Sequence, residues 1–245
     1  MQIIDLVEVE NLTMIEDNIT PWELLQKKMT WEQLSFIKNK KVLDFGSGNG
    51  LTASHFAADN EVIAIEPDEK MLQARFTENK YTQVIGGLNE LKNYEHKSFD
   101  VVLCHNVLEY AKKREEIIKK FSRILKKNGI LSILKHNRAG RIMQMVVLLN
   151  NFEHANELLA GKNGNAQRFG TIDYYNDTDI LKWSGNTFDI EKILGMRTFW
   201  CLQQNQDIQK NQSWQEKMLD IEKKVSNLEE YKAIAFFHHV ILQKI

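Results

Sequence analysis

The chain has 245 residues, of which 43% are hydrophobic and 27% are charged, a balance typical of a globular protein with a sizeable core. Two cysteines and two prolines exclude a disulfide scaffold and a proline-rich linker, and a net charge of -1 does not indicate a nucleic-acid-binding protein. The N-terminus lacks the basic start and apolar core of a signal peptide, and no apolar run could cross a bilayer. We therefore expect a soluble, cytoplasmic protein with no membrane partner.

The first half of the chain predicts alternating strands and helices. Residues 1–40 form a segment in which a helix begins at Pro21, with Thr20 as its N-cap. The alternation predicts right-handed βαβ units and a mostly parallel, Rossmann-like α/β sheet with helices on both faces. The predicted strands are 41–45, 61–66, 83–86, 99–104 and 130–134, and the helices between them are 51–59, 69–78 and 113–125.

The second half begins with an interruption of this alternation. We interpret residues 136–185 as a helical insertion after strand five that lies over the carboxyl ends of the strands, as a lid or a substrate-binding segment. The remainder predicts a return to the sheet, within a single domain over 1–245. The predicted elements are helices over 141–159, 178–183 and 213–231, the last capped by Ser213, and strands over 188–199 and 233–245. The apolar stripe of the 213–231 helix fits packing on the sheet or a dimer, so monomer and dimer both remain open.

A glycine loop joins the first strand to the next helix with the spacing G-x-G-x-G over 46–50. This differs from the G-x-G-x-x-G of dinucleotide-binding proteins. Asp44, just before the loop, would repel a pyrophosphate and suits a cationic ligand group, while Glu66 ends the next strand, where a carboxylate accepts ribose hydroxyls. S-adenosylmethionine, with a ribose and a cationic amino-acid end, fits this pattern. The alternative is that Asp44 only caps the turn and Glu66 is solvated.

These motifs resemble those of the class I S-adenosylmethionine-dependent methyltransferases. The similar blocks are 42–50, 65–66, 87–89, 99–109 and 125–131. The resemblance implies a methyltransferase enzyme with S-adenosyl-L-methionine as cofactor, and a seven-stranded sheet whose last strand is antiparallel. The cofactor-binding residues that it implies are Asp44, Gly46, Ser47, Gly48, Glu66, Pro67, Leu88, Asn89 and His105.

Further blocks resemble the bacterial tRNA 5-carboxymethoxyuridine methyltransferases, which esterify a modified wobble uridine. They are 105–110, 137–141, 151–152, 195–199 and the closing strand. This resemblance implies tRNA as a partner. Three positions depart from the pattern of that group: Gln26 replaces an arginine, Asn49 an acidic residue and Glu66 an aspartate.

The substrate is expected beyond the carboxyl ends of strands four and five, where ligands of open α/β sheets bind. Asn106, Tyr110, Arg138 and Arg197 are the predicted substrate residues, since arginine binds carboxylates and phosphates bidentately. The predicted catalytic residues are His105 and His136, which would deprotonate a neutral hydroxyl or amine acceptor. A carboxylate or phenolate acceptor needs no base, and both histidines would then serve only packing or hydrogen bonding.

Residues 111–141 contain 11 basic residues against two acidic ones, which indicates a phosphate-binding patch or an ordinary solvated helix face. Three functions therefore stay open: a methyltransferase acting on tRNA, one acting on an anionic small metabolite under a lid formed by 136–185, and a non-catalytic cofactor-binding module. We expect no metal, because adjacent strand residues such as His238 and His239 point to opposite faces.

Overall fold

The computed structural model describes residues 19–73, 75–166 and 170–245. Its elements alternate as the sequence predicts through the fifth strand. In chain order they are α1 Pro21–Gln33, β1 Lys41–Phe45, α2 Leu51–Ala57, β2 Glu61–Glu66, α3 Glu69–Gln73, β3 Thr82–Ile85, β4 Phe99–His105, α4 Arg114–Ile124, β5 Leu125–His136, α5 Arg138–Val147, α6 Phe152–Leu159, β6 Gly164–Ala166, β7 Gly170–Ile172, α7 Asp179–Ser184, β8 Phe188–Met196, α8 Gln212–Val225, α9 Glu229–Lys232 and β9 Phe237–Lys244.

The main sheet has seven strands in the order β3-β2-β1-β4-β5-β9-β8. Strands β1 to β5 pair in parallel, and β9 lies antiparallel between β5 and β8. The predicted Rossmann-like fold, with an antiparallel last strand, is therefore confirmed. Apolar side chains of the central strands, such as Val42, Leu43, Val102 and Leu103, are fully buried because helices cover both faces of the sheet.

Several boundaries differ from the sequence-based expectations. Strand β8 ends at Met196 rather than at 199, β9 begins at Phe237 rather than at 233, and the expected helix over 213–231 is divided into α8 and α9. Strand β5 begins at Leu125 rather than at 130, because residues 126–129 form an irregularity within the strand, where Asn128 adopts a φ of 62°. The expected helix over 141–159 is two helices: Asn150 has a φ of 49°, and the side chain of Asn151 accepts a hydrogen bond from the His154 backbone to start α6. Asn211, not Ser213, caps α8.

The segment between β5 and β8 contains α5, α6, the β6–β7 hairpin and α7. Helices α5 and α6 share a small apolar cluster of Met145, Ala155 and Leu158, separate from the main core. At the other end of the chain, α1 packs Leu25 and Met29 against residues that include Phe236, next to the carboxyl end of β5. Helix α1 therefore also borders the crevice where the site was expected. The predicted segment 1–40 is described only from residue 19 onward.

No described helix is long and apolar enough to span a membrane. Likewise, the described ranges contain no group of three or more His, Cys, Asp or Glu side chains that could hold a metal ion.

Candidate functional site

The glycine loop follows β1 at the carboxyl edge of the sheet, and its backbone requires glycine. Gly46, Gly48 and Gly50 have φ values of 77°, 59° and 74°, in the left-handed region that residues with a Cβ disfavour. Space is limited as well, since a Cβ on Gly46 would lie 2.4 Å from Cγ2 of Val107. Both the φ values and the close packing therefore favour glycine in this loop. Within the described ranges, the buried hydroxyl of Ser47 has no hydrogen-bond partner.

Asp44, on β1 just before this loop, has a buried carboxylate. Among the residues that the structure describes, its Oδ2 atom has no hydrogen-bond partner. Burial raises the pKa of Asp44 to about 6 even though Lys27 lies close enough to oppose the shift. The Nζ of Lys27 donates to Oγ1 of Thr52 at 2.7 Å, in the first turn of α2. A cationic ligand group near Asp44 and an anionic one near Lys27 would complete this arrangement. The amino and carboxylate ends of methionine have these charges.

Glu66 ends β2 with its carboxylate facing the same loop. Its Oε2 accepts the backbone N–H of Gly48 at 2.8 Å, and its Oε1 accepts that of Asp68 at 2.9 Å. The carboxylate is thus oriented at the place where ribose hydroxyls were predicted. Pro67 and Asn89 are exposed, and Leu88 is partly buried against the core, in the segment just beyond β3. The residues present fit S-adenosylmethionine, and all the predicted cofactor residues lie along the carboxyl edge of the sheet.

His105 is the last residue of β4, and its ring does not stand free in the crevice. Its Nε2 lies 2.8 Å from the hydroxyl of Ser132 on β5, which lies 2.8 Å from Nε2 of His239 on β9. Burial lowers the pKa of His105 well below its ordinary value, so the imidazole is neutral at neutral pH. As a proton acceptor His105 is therefore weak.

His136 ends β5 against Phe237, with a ring-centroid separation of 4.5 Å. Its Nε2 lies 3.3 Å from the hydroxyl of Tyr110, and its buried Nδ1 has no hydrogen-bond partner in the described part of the chain. Burial, followed by the nearby Arg197 and Arg141, lowers the pKa of His136 to about 3. Such an imidazole is a hydrogen-bonding group at neutral pH rather than a general base.

Arg197 lies beside this pair, in a left-handed conformation at the end of β8 with a φ of 59°. The residue is 7% exposed, and the carbon of its guanidinium group lies 4.5 Å from the ring centroid of Trp22 and 5.2 Å from that of Phe236. Gln26 orients it: the Gln26 side chain accepts from Arg197 at 3.3 Å and donates to Oδ1 of Asn106 at 3.0 Å. Gln26, noted above as a departure, thus links two predicted substrate residues.

The second arginine at this place is Arg141 on α5, which was not among the predicted substrate residues. Its guanidinium group lies 5.9 Å from the centroid of Phe236, the ring that Arg197 also covers. Arg138, which was predicted, instead donates to the backbone carbonyls of Leu158 and Lys162 at the end of α6. The three-residue spacing of Arg138 and Arg141 on one helix was the available signal, but only the fold separates their roles.

Unsatisfied polar atoms converge on this crevice. Buried atoms without a hydrogen-bond partner are rare in proteins, and a cluster of them calls for an explanation such as a ligand. In the part of the chain that the structure describes, those near the carboxyl ends of β4, β5 and β8 are Nδ2 of Asn106, Oε2 of Glu109, Nδ1 of His136, Nε of Arg141, the hydroxyl of Tyr174, Nε of Arg197 and the hydroxyl of Thr198. Most of them are donors, which suits an anionic ligand.

The basic run 111–141 does not form one patch at the crevice. On α4, Lys113 and Lys120 pair with Glu116, and Lys119 pairs with Glu115. Lys135 is buried and bound to Asp177 at 2.9 Å. These lysines therefore form ion pairs with carboxylates of the protein itself.

Comparison with known proteins agrees with this geometry. Residues 43–133 match the family model described as a methyltransferase domain. The chain is 24% identical over 189 residues to a ubiquinone biosynthesis O-methyltransferase of Glaesserella parasuis serovar 5, covering 70% of this chain and 76% of the relative. It is also 22% identical over 236 residues to a tRNA 5-carboxymethoxyuridine methyltransferase of Escherichia coli O157:H7, covering 90% of this chain and 88% of the relative.

Among solved structures, a putative S-adenosylmethionine-dependent methyltransferase from Listeria monocytogenes superposes with a TM-score of 0.57 at 14% identity, covering 91% of this chain and 100% of that structure. At this identity the likeness shows the fold alone. The matched methyltransferase domain confirms the predicted resemblance and the enzyme class, and the geometry of the glycine loop, Asp44 and Glu66 fits the predicted cofactor.

Proposed function

We propose that this chain, an S-adenosylmethionine-dependent methyltransferase, transfers its methyl group to an oxygen of an acceptor that carries a carboxylate. The observation that carries the proposal is the pair of guanidinium groups of Arg141 and Arg197 over Phe236. Within the described ranges, neither forms an ion pair with a carboxylate of the protein. The buried carboxylate of Glu222 lies close enough to interact with the charge of Arg197, but it accepts the backbone N–H groups of residues 198–200 instead of pairing with the guanidinium group. An acceptor carboxylate would therefore supply a direct countercharge for the two arginines.

The main task of the protein in this reaction is to align the acceptor oxygen with the methyl group of the cofactor. The cofactor supplies an activated methyl group on a sulfonium. A carboxylate oxygen attacks that carbon in line while the carbon–sulfur bond breaks and its electron pair passes to sulfur. A carboxylate has lone pairs on both oxygens, so the arginines can hold one oxygen while the other stays free to react.

The histidines fit this reaction better than one that needs a base. A pKa of about 3 for His136 leaves it neutral and weakly basic, and the pKa of His105 is lowered as well, both chiefly by burial. A hydroxyl acceptor would require a base with a pKa near the working pH, whereas a carboxylate is already ionised. We assign His136 and Tyr110 to positioning the acceptor.

The first candidate acceptor is a wobble uridine of tRNA that carries a 5-carboxymethoxy group. In its support, the similarity to the tRNA methyltransferase of E. coli extends over 90% of this chain. Arg197 lies in one of the blocks that resemble that group, and Asn106 and Tyr110 lie in another. The phosphate contacts that a tRNA requires would come from residues outside the paired lysines of α4.

The second candidate is an anionic small metabolite enclosed by 136–185. The internal pairing of the α4 lysines and the net charge of -1 favour it, since both reduce attraction to nucleic acid. The relative from G. parasuis, named for ubiquinone biosynthesis, illustrates a methyltransferase of this broad class.

The test is transfer of isotopically labelled methyl groups to separate tRNA and metabolite extracts, followed by mass spectrometry. A base-labile methyl ester in either fraction supports the proposal, and its location distinguishes the candidates. Labelling of tRNA that falls steeply with salt supports the tRNA reading, whereas a shallow salt response supports the metabolite. We expect Arg197→Ala to lower activity by about tenfold or more, the loss of one charge-assisted pair. Exclusive methylation of nitrogen or of a neutral hydroxyl would overturn the carboxylate acceptor.

A further inference from the structure

A buried chain of hydrogen bonds runs from α1 through β9 and β5 to the end of β4. The Oε1 of Gln33 lies 2.6 Å from Nδ1 of His239, whose Nε2 lies 2.8 Å from the hydroxyl of Ser132. That hydroxyl lies 2.8 Å from Nε2 of His105. Ser132 and His239 are 0% exposed, so water cannot replace the hydrogen bond between them.

The direction of every bond in the chain follows from its first member. The Oε1 of Gln33 can only accept, so Nδ1 of His239 carries a hydrogen. Burial lowers the pKa of His239 to about 3, which keeps the ring neutral and leaves its Nε2 as an acceptor. The hydroxyl of Ser132 then donates to His239 and accepts from Nε2 of His105. By elimination, Nδ1 of His105 carries a lone pair and no hydrogen.

Nδ1 of His105, which carries this lone pair, is the last atom of the hydrogen-bond chain. Within the described ranges, Nδ1 of His105 makes no hydrogen bond, and His105 is only partly buried, at the carboxyl edge of the sheet. Asp44 on β1 pairs with Leu103 on β4, two residues before His105, so the side chains of Asp44 and His105 lie on the same face of the sheet, beside the glycine loop.

We propose that Gln33, His239 and Ser132 are positioning residues that fix the tautomer of His105, so that a positively charged cofactor meets a lone pair rather than an N–H. The opposite tautomer would direct a partial positive charge at the ligand. The chain should therefore favour the sulfonium form of the cofactor over its neutral, demethylated product. This inference rests on the assigned cofactor but not on the identity of the acceptor.

A matched pair of variants at Gln33 tests the inference far from the ligand. Gln33→Glu keeps an acceptor opposite Nδ1 of His239 and should preserve the tautomers of His239 and His105. Gln33→Met removes that acceptor, so the hydrogen bonds between the two histidines can adopt either direction. Histidine nitrogen NMR on the ligand-free protein distinguishes protonated from unprotonated ring nitrogens. We expect His105 to be protonated at Nε2 in the wild type and in Gln33→Glu, and to be a mixture in Gln33→Met.

Calorimetry with S-adenosylmethionine and S-adenosylhomocysteine provides the functional readout. The ratio of the two affinities should shift toward the product by about two- to tenfold in Gln33→Met, the worth of one hydrogen bond, and stay unchanged in Gln33→Glu. Wild-type His105 protonated at Nδ1, a reversed tautomer in Gln33→Glu, or an unchanged affinity ratio in a Gln33→Met protein with mixed tautomers would overturn the inference. Failure to methylate a carboxylate would overturn only the proposed acceptor.

Discussion

Replacing Arg141 by methionine should lower the methyltransferase activity and leave the free energy of unfolding nearly unchanged. The side chain of Arg141 donates to the side chain of Gln144 and, at 3.5 Å, to the carbonyl of Asn165, and both contacts lie where water can replace them. Their loss costs about 0.5–1.5 kcal/mol, and the stacking on Phe236 adds about 0.5–1 kcal/mol. Removing an unpaired, half-buried charge offsets this, since replacing buried ionic groups by apolar ones is often stabilising by about 1–4 kcal/mol.

The net change in the free energy of unfolding of Arg141→Met is therefore within about 1 kcal/mol, or about 4 °C in Tm. Activity should fall by about 10- to 150-fold, because one charge-assisted contact to the acceptor is worth about 1.5–3 kcal/mol. Thermal unfolding of the ligand-free protein and methyl transfer at saturating cofactor measure the two quantities.

Arg123→Met is the matched control. Its guanidinium group donates to the carbonyls of Tyr94, at 2.8 Å, and Leu91, at 2.5 Å, and not to a residue of the acceptor side. This variant should lose about 2–4 kcal/mol of stability while its folded fraction keeps wild-type activity. The reasoning is refuted if Arg141→Met is strongly destabilised, or if it is stable and fully active.

Three further outcomes are expected. Glu66→Ala should weaken cofactor binding by about 1–3 kcal/mol in calorimetry, more than Glu66→Gln, because ribose hydroxyls lose a charged acceptor; equal affinities would place the ribose elsewhere. Gly46→Ala should unfold at lower urea concentration, and Val107→Ala should restore part of the loss because Cγ2 of Val107 lies 2.4 Å from the added Cβ; no recovery would leave the φ of 77° as the whole cause. Burial raises the pKa of Glu109 from 4.5 to about 7, so its contribution to stability is present below about pH 4.5 and is lost as the pH rises through 7. Glu109→Gln should remove that fall, about 3 kcal/mol at most, in urea titrations at pH 5 and 8, and identical pH profiles would contradict the shift.

The sequence alone determined the central part of the fold because the relevant signals are local. Short apolar runs separated by amphipathic segments predict the order of strands and helices, and the chirality of βαβ units then places the glycine loop and Glu66 at one edge. The cofactor side of the site is built from residues near each other in the chain, so its chemistry could be inferred from their spacing. Local backbone chemistry was harder to anticipate, as the asparagines at 150, 151 and 211 show.

The acceptor side was decided by tertiary structure. Arg138 and Arg141 have the same side-chain chemistry and lie three residues apart, and only the packing of α5 against α6 turns the first to backbone carbonyls and the second to Phe236. The chain from Gln33 to His105 joins residues as much as 206 positions apart. Periodicity and spacing carry no information about such distant pairs, because their contact depends on how β9 pairs with β5 and on where α1 packs. The contacts of these histidines and arginines therefore depend on strand pairing and helix packing, which the tertiary structure determines.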